Sequence, residues 1–199
     1  MLRKILLKSR MLYLNFKYKY LYYWFFRMQP GVINGRCLIH SKPKFYAPVR
    51  CDGSGNVEIG AAVTFGYGLA PRSGNGEILV QARASNSVVK IGRNTSFSNN
   101  VSIISNEQIE IGEDCLIGDF CSFFDCDFHV IDPQTRRMGH GSVGKIVIGN
   151  NVWFGSRVIV QKGVSIGNNS IIAPNSVVTQ CIPENSIAAG VPAKVIRTI

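Results

Sequence analysis

His129 closes the run Asp125-Cys-Asp-Phe-His129 and opens a stretch to Lys145 that contains Pro133, three glycines and a second histidine, His140. Histidine is the side chain whose ordinary pKa, about 6.5, lets it accept a proton near neutral pH. A general base must be held rigidly and still be reachable, and a histidine where a regular scaffold meets a loop satisfies both demands. Asp127 stands two residues earlier, on the same side if the chain is extended there, and can accept the ring's second N–H. Asp132 flanks the histidine on the other side, and a solvated loop carboxylate is the competing reading for both acids. Cys126 could be drawn as a nucleophile, but no base for it is evident, and it reads as structural. His140 reads as part of the loop.

The scaffold is written in steps of six. Ile148, Phe154, Val160, Ile166, Ile172 and Val178 are all apolar. Each is followed by a small or short residue in most copies, and four positions later stand Val152, Val158, Val164, Ser170, Ser176 and Ile182. Earlier copies begin at Ile59, Phe65, Ile91, Phe97 and Ile103, and the register restarts at Ile111, Ile117 and Phe123. A period of six spreads side chains around a whole helix, and the Val, Ile, Asn and Gly content is unhelical. Short strands turned every six residues, three to a coil, place one apolar side chain per side inside a prism, with coils stacked about 4.8 Å apart. Asn94, Asn150-Asn151 and Asn168-Asn169 suit the turns, because asparagine tolerates left-handed backbone angles. The expectation is an all-β parallel β-helix of five or six coils. From Phe123 to Ile148 is 25 positions, one more than four hexapeptides, so residues 129–145 leave the coil as an excursion.

Charge is unevenly distributed. Of 22 Lys and Arg, 11 fall in the first 51 residues, which hold no acid; the remaining 11 face 12 Asp and Glu. This excludes a nucleic-acid-binding fold with a basic face and marks a basic N-terminal attachment. Residues 1–30 also carry nine of the twenty aromatics. Leu2, Ile5, Leu6 and Leu12 suggest a short amphipathic helix, while FKYKYLYYWFF fits helix or strand equally. Such a segment suits the face of an anionic membrane, or a cap on the first coil, and the two are compatible. No run reaches the roughly 18 apolar residues of a membrane span, and lysines and arginines interrupt the start too often for a secretory signal. The expected location is the cytoplasm, with the inner face of its membrane as the place of any such contact. Six cysteines form no CxxC pair and read as buried thiols. The domain reading is a basic, aromatic extension over 1–50, the β-helix with its loop over 51–183, and a C-terminal cap over 184–199.

IVIGNNVWFGSRVIVQKGVSIGNNSIIAPNSVVTQCIPENSIAAGVPAKVIR (146–197) resembles the hexapeptide-repeat acyltransferases, and DFHVIDP followed by IGNNVWFG is most similar to their polysaccharide and lipopolysaccharide sugar O-acetyltransferases. The resemblance covers about residues 55–199. It implies a left-handed coil, a homotrimer, acetyl-CoA as donor with no metal, and His129 as the base that takes a proton from a sugar hydroxyl. It places Trp153 near the acceptor, where its indole N–H could meet the oxyanion; packing at a subunit contact is the alternative. A coenzyme groove between subunits would run beside Gly155 and Ala173, with Lys162, Lys194 and Arg197 as candidates for the phosphates. Where the family usually has Gly-Ala-Gly, this chain has Ala173-Pro174-Asn175, which puts the local coenzyme contacts in question.

Three other readings compete. N-acetylation of an amino sugar would use the same scaffold and coenzyme. A zinc enzyme similar to the γ-type carbonic anhydrases needs three converging histidines, and this chain has only His40, His129 and His140, widely spaced. A non-catalytic solenoid would have no use for a loop rooted at a histidine.

Overall fold

The computed structural model describes residues 9, 12–14, 16–71 and 73–199. Leu2, Ile5 and Leu6 lie outside them. Three parallel sheets form the faces of a prism. The first holds Cys37–Ile39, Asn56–Ile59, Val88–Ile91, Gln108–Ile111, Ile146–Ile148 and Ser165–Ile166. The second begins with Lys44–Phe45 and Thr64–Phe65 and runs through Trp153–Phe154 and Ile171–Ile172 to Ser186–Gly190. The third runs from Val49–Gly53 to Val177–Val178. One strand from each face makes a coil, and six coils stack. Parallel pairing starts at Cys37, upstream of residue 51, where Lys44 and Pro43 obscure the hexapeptide pattern of the first coil.

The six-residue period is the inward column of each face. Ile59, Ile91, Ile111, Ile148 and Ile166 are register partners on the first face. Phe45, Phe65, Phe97, Ile117, Phe154 and Ile172 follow one another on the second. Cys51, Val80, Ile103, Phe123, Val160 and Val178 form the third. All are buried. Phe45, Phe65 and Phe97 stack with centroids 5.6 and 5.4 Å apart, so the upper coils are joined by an aromatic column. The restart at Ile111 has a simple cause: the corner from the third face to the first is widened by Asn106 and Glu107.

At the first-to-second corner the left-handed position is held by Ala62, Asn94, Asp114, Asn151, Asn169 and Asn185, with φ between 53° and 58° or at 60°. Asn151 Nδ2 donates to Asn169 Oδ1 at 3.0 Å, and Asn169 Nδ2 to Asn185 Oδ1 at 2.9 Å, linking consecutive coils. Only the second asparagine of each pair is left-handed. The first, Asn150 or Asn168, instead accepts a backbone N–H from the coil before it, from Glu113 at 2.8 Å and from Asn150 at 2.7 Å. Five cysteines are buried and all six are free, but Cys181 is exposed, unlike the uniformly buried set expected. Burial pushes the Cys121 thiol up to about 12.

Ahead of the first coil the chain is helical, as a π-helix over Lys17–Leu21 and an α-helix over Tyr22–Arg27. Phe26 is fully buried with its ring 5.2 Å from Phe45, so it closes the end of the aromatic column. Gln29 adds a backbone clamp, donating to Val49 O and accepting from Cys51 N. This segment therefore packs against the first coil and covers the end of its aromatic column. No described helix is long and apolar enough to cross a membrane. A second excursion, between Phe65 and Ile78, was not read from the period. Buried Asn99 holds it, accepting from Tyr67 N at 3.1 Å and donating to Tyr67 O at 3.0 Å and Ala70 O at 3.2 Å. Its run of Gly66, Gly68, Pro71, Gly74 and Gly76 is the signal that marks it.

Candidate active site

The loop that carries His129 leaves the prism at the widened corner. Phe123 is the last inward apolar residue of the fourth coil; Asp125 then turns in and is fully buried. Its carboxylate accepts from Ser105 Oγ at 2.6 Å, Asn106 N at 2.7 Å and Glu107 N at 2.9 Å. A buried carboxylate needs this many donors, and here they come from the corner of the preceding coil. The returning strand closes on the same point. Gly144 N donates to Asp125 O at 2.8 Å, Asp127 N to Ser142 O at 2.9 Å, and Gly141 N to Asp127 O at 2.9 Å. Cys126 and Val143 pair between them as an antiparallel bridge. Residues 125–127 and 141–144 thus form a two-stranded neck, and residues 128–140 form its head.

Gly141 is required in this neck. A Cβ there would lie 2.6 Å from His129 O and 2.8 Å from Asp127 Cβ, so any side chain would displace the histidine's backbone. His129 itself is exposed at the rim of a cavity of about 380 Å³. Phe124, Cys126, Asp127, Phe128, Ile159, Gln161 and Lys162 complete the lining. Phe128 packs edge-on against Phe124 at 5.2 Å, and the Arg83 guanidinium lies over its ring, 5.0 Å from the centroid.

Asp127 does not reach for the histidine in this structure. Its Oδ1 lies 2.6 Å from Lys162 Nζ and its Oδ2 accepts from Ser142 Oγ at 2.9 Å. The Lys162 hydrogen bond, then that of Ser142, holds its carboxyl below the usual carboxylate range. Asp132 is likewise occupied, capping a turn through Gln134 N at 3.1 Å and Thr135 Oγ1 at 3.0 Å. Desolvation, with the Asp125 charge beside it, raises the Cys126 thiol above its ordinary value, which keeps it protonated. The His140 ring bonds Gly141 O at 3.0 Å in the loop, and His40 pairs with Glu58 at 2.8 Å on the first face. Among the described residues no cluster of three or more His, Cys, Asp or Glu could hold a metal.

His129, Asp127 and Lys162 come together at this cavity within one chain, with Cys126 in its lining. Trp153, Gly155, Ala173, Lys194 and Arg197 lie elsewhere on the prism. Trp153 is 54 % exposed on the second face, in register with Leu116 and Ile171. There it lines a groove of about 650 Å³ with Leu116, Tyr67, Leu69 and Tyr46. Gly155 follows it at the second-to-third corner, where a Cβ would lie 2.6 Å from the Pro174 ring. Ala173, next to that proline, donates its N–H to Ala188 O at 2.9 Å. Lys194 and Arg197 stand on the exposed strand Ala193–Thr198, which folds back antiparallel on Ser186–Gly190. Lys162 is thus at the His129 cavity, away from these two cations.

Residues 145–180 match the family model for the bacterial transferase hexapeptide (six repeats). A solved galactoside acetyltransferase in complex with coenzyme A is 30 % identical, over 91 % of this chain and 78 % of that one, with a TM-score of 0.56. The chain belongs to the hexapeptide-repeat acetyltransferases. As in that family, its prism is a left-handed parallel β-helix. A hexapeptide-repeat-containing acetyltransferase from Vibrio cholerae O1 biovar eltor, complexed with acetyl coenzyme A, is 25 % identical over 75 % of this chain and 70 % of that one, with a TM-score of 0.52. The galactoside O-acetyltransferase of Escherichia coli K12 is 41 % identical over 111 residues, 56 % of this chain and 54 % of its own length. The chain therefore spans about half the length of that curated relative.

Proposed function

We propose that this hexapeptide-repeat protein transfers the acetyl group of acetyl-CoA to a sugar hydroxyl, with His129 as general base. One observation carries the reading: the histidine stands at the open rim of a cavity, on a neck clamped through buried Asp125. Neutral His129 takes the hydroxyl proton as the oxygen forms its bond to the thioester carbonyl carbon. The tetrahedral intermediate then expels coenzyme A thiolate, which leaves with the proton from the imidazolium. A base so placed is worth about 10² to 10⁴ in rate. The ion pair of Asp127 with Lys162 positions the loop in this scheme and leaves the ring free to turn toward substrate.

The reading includes a homotrimer. Trp153, Gly155, Ala173, Lys194 and Arg197 lie on the second face or at its corner with the third, outside the His129 cavity, so in this proposal a neighbouring copy supplies them to the other wall of the groove. Trp153 would offer its indole N–H and ring face to the acceptor, and the two cations would meet coenzyme phosphates. The acceptor we propose is a surface polysaccharide or its precursor, acetylated in the cytoplasm, where acetyl-CoA is made.

Calorimetric titration of acetyl-CoA into wild type and His129→Ala, with acetyl transfer to methyl galactoside followed in parallel, tests this. Saturable binding kept by the variant, with transfer lowered at least about 10²-fold, is expected. Absence of binding at millimolar acetyl-CoA, or full transfer by the variant, overturns the reading.

A further inference from the structure

The helical run ahead of the first coil has two apolar sides. Tyr18, Tyr22 and Phe26, four residues apart, turn toward the solenoid; Tyr22 and Phe26 are buried, and the Tyr18 ring lies 5.5 Å from that of Tyr46. Displaced by two positions, Leu12, Phe16, Tyr20, Trp24 and Met28 repeat the same spacing on the opposite side. Each of these five is more than half exposed. A helix with apolar residues on two sides buries both in its working state. The first side is satisfied by the aromatic column of the solenoid.

Charge identifies the partner of the second side. Lys42 and Lys44 border the stripe, and no acidic residue precedes Asp52. Leu12, Phe16 and Tyr20 form one wall of a cavity of about 640 Å³ whose other wall is Lys42, Pro43 and Lys44. The Lys42 ammonium sits 4.3 Å from the Tyr23 ring centre and 5.8 Å from that of Tyr20, at the junction of aromatic and cationic surface. From Asp52 onward the chain carries 11 cations against 12 anions, so attraction to a negative surface is confined to the cap. Rings with one wet edge, set among lysines and arginines, match the headgroup layer of a negatively charged bilayer.

We propose that the cap docks the protein on an anionic phospholipid bilayer, with the stripe from Leu12 to Met28 in the interface and Lys42 and Lys44 against lipid phosphates. Docking would hold the solenoid at the membrane by its N-terminal end, leaving the His129 loop, four coils away, free for substrate.

Flotation of the full chain with vesicles of phosphatidylcholine, or of phosphatidylcholine mixed with phosphatidylglycerol, tests this. Binding to the mixed vesicles alone is expected, released at about 1 M salt, where the screening length falls to about 3 Å. Trp24→Ser with Met28→Ser, and separately Lys42→Glu with Lys44→Glu, should each lower partitioning more than about tenfold. Coenzyme A affinity should be unchanged in both, which separates lost docking from misfolding and from failure of the transferase reading. Equal binding to neutral vesicles, or none to either, overturns the proposal. So does an altered oligomeric state of the Trp24→Ser, Met28→Ser protein with undiminished flotation, since the stripe is then a contact between protein chains.

Discussion

Lys162 Nζ lies 2.6 Å from Asp127 Oδ1, and this one contact ties the fifth coil to the neck of the His129 loop. Both side chains are about one-third exposed, so the pair belongs to the class of ion pairs that contribute up to about 1 kcal/mol. Its importance lies in where it fixes the loop.

That contact has a pH signature. The folded state depresses the Asp127 carboxyl, so its contribution is present above the unfolded value of about 3.9 and is lost as pH falls through the folded one. Wild type should melt above Asp127→Asn from pH 5 to 8, and the gap should begin to close near the unfolded value of about pH 4 and vanish only below the depressed folded one. A gap that persists in acid would show that the carboxylate charge is not what holds the neck.

Asp125 should matter far more for stability. Asp125→Ala leaves the Ser105 hydroxyl and the N–H groups of Asn106 and Glu107 without their acceptor. The expected loss is about 2–4 kcal/mol in denaturant unfolding. His129→Ala, by contrast, removes an exposed ring and should leave the midpoint unchanged. Equal midpoints for Asp125→Ala and wild type would refute the role given to this carboxylate.

Gly141→Ala separates position from stability. The new methyl group meets His129 O, and the neck must open to admit it. Displacement of a base by about 1 Å can cost about 10²-fold in rate. Transfer should fall by at least about tenfold while acetyl-CoA affinity is kept; a variant of wild-type activity would mean the neck does not set the histidine's place.

The aromatic column makes a fourth prediction. Phe65 is fully buried between Phe45 and Phe97, and Phe65→Ala should cost about 3–5 kcal/mol. Chemical denaturation gives the value, and a loss below about 1 kcal/mol would mean the upper coils do not depend on the stack.

The scaffold was legible because burial in a prism imposes a period. Ile148, Phe154 and Val160 had to be apolar for the same geometric reason, and every residue of the three inward columns is buried. Left-handed turns at Asn94, Asn151 and Asn169 were equally readable from residue type. What could not be read was which neighbour each polar side chain would choose. Asp127 was expected beside His129, but Lys162, 35 residues away in sequence, takes its carboxylate. Asp125 looked like any loop acid, because its donors are two backbone groups and a serine on the previous coil. The first coil was hidden for the opposite reason: Phe26 and the cap do part of its packing, so Cys37–Gly53 needs fewer hexapeptide features of its own.

The His129 excursion also bears on how the solenoid can vary. Ile109 pairs with Ile146 across 37 positions, where Val147 pairs with Ser165 across 18. Doubling the span of chain between two joined points adds only about 0.6 kcal/mol of closure entropy. The neck bonds of Asp125, Asp127, Gly141 and Gly144 fix both ends of the head, so its length and composition are nearly free of thermodynamic constraint. Such a scaffold can change what it recognises by rewriting residues 130–140, with His129 and the neck beneath them left intact.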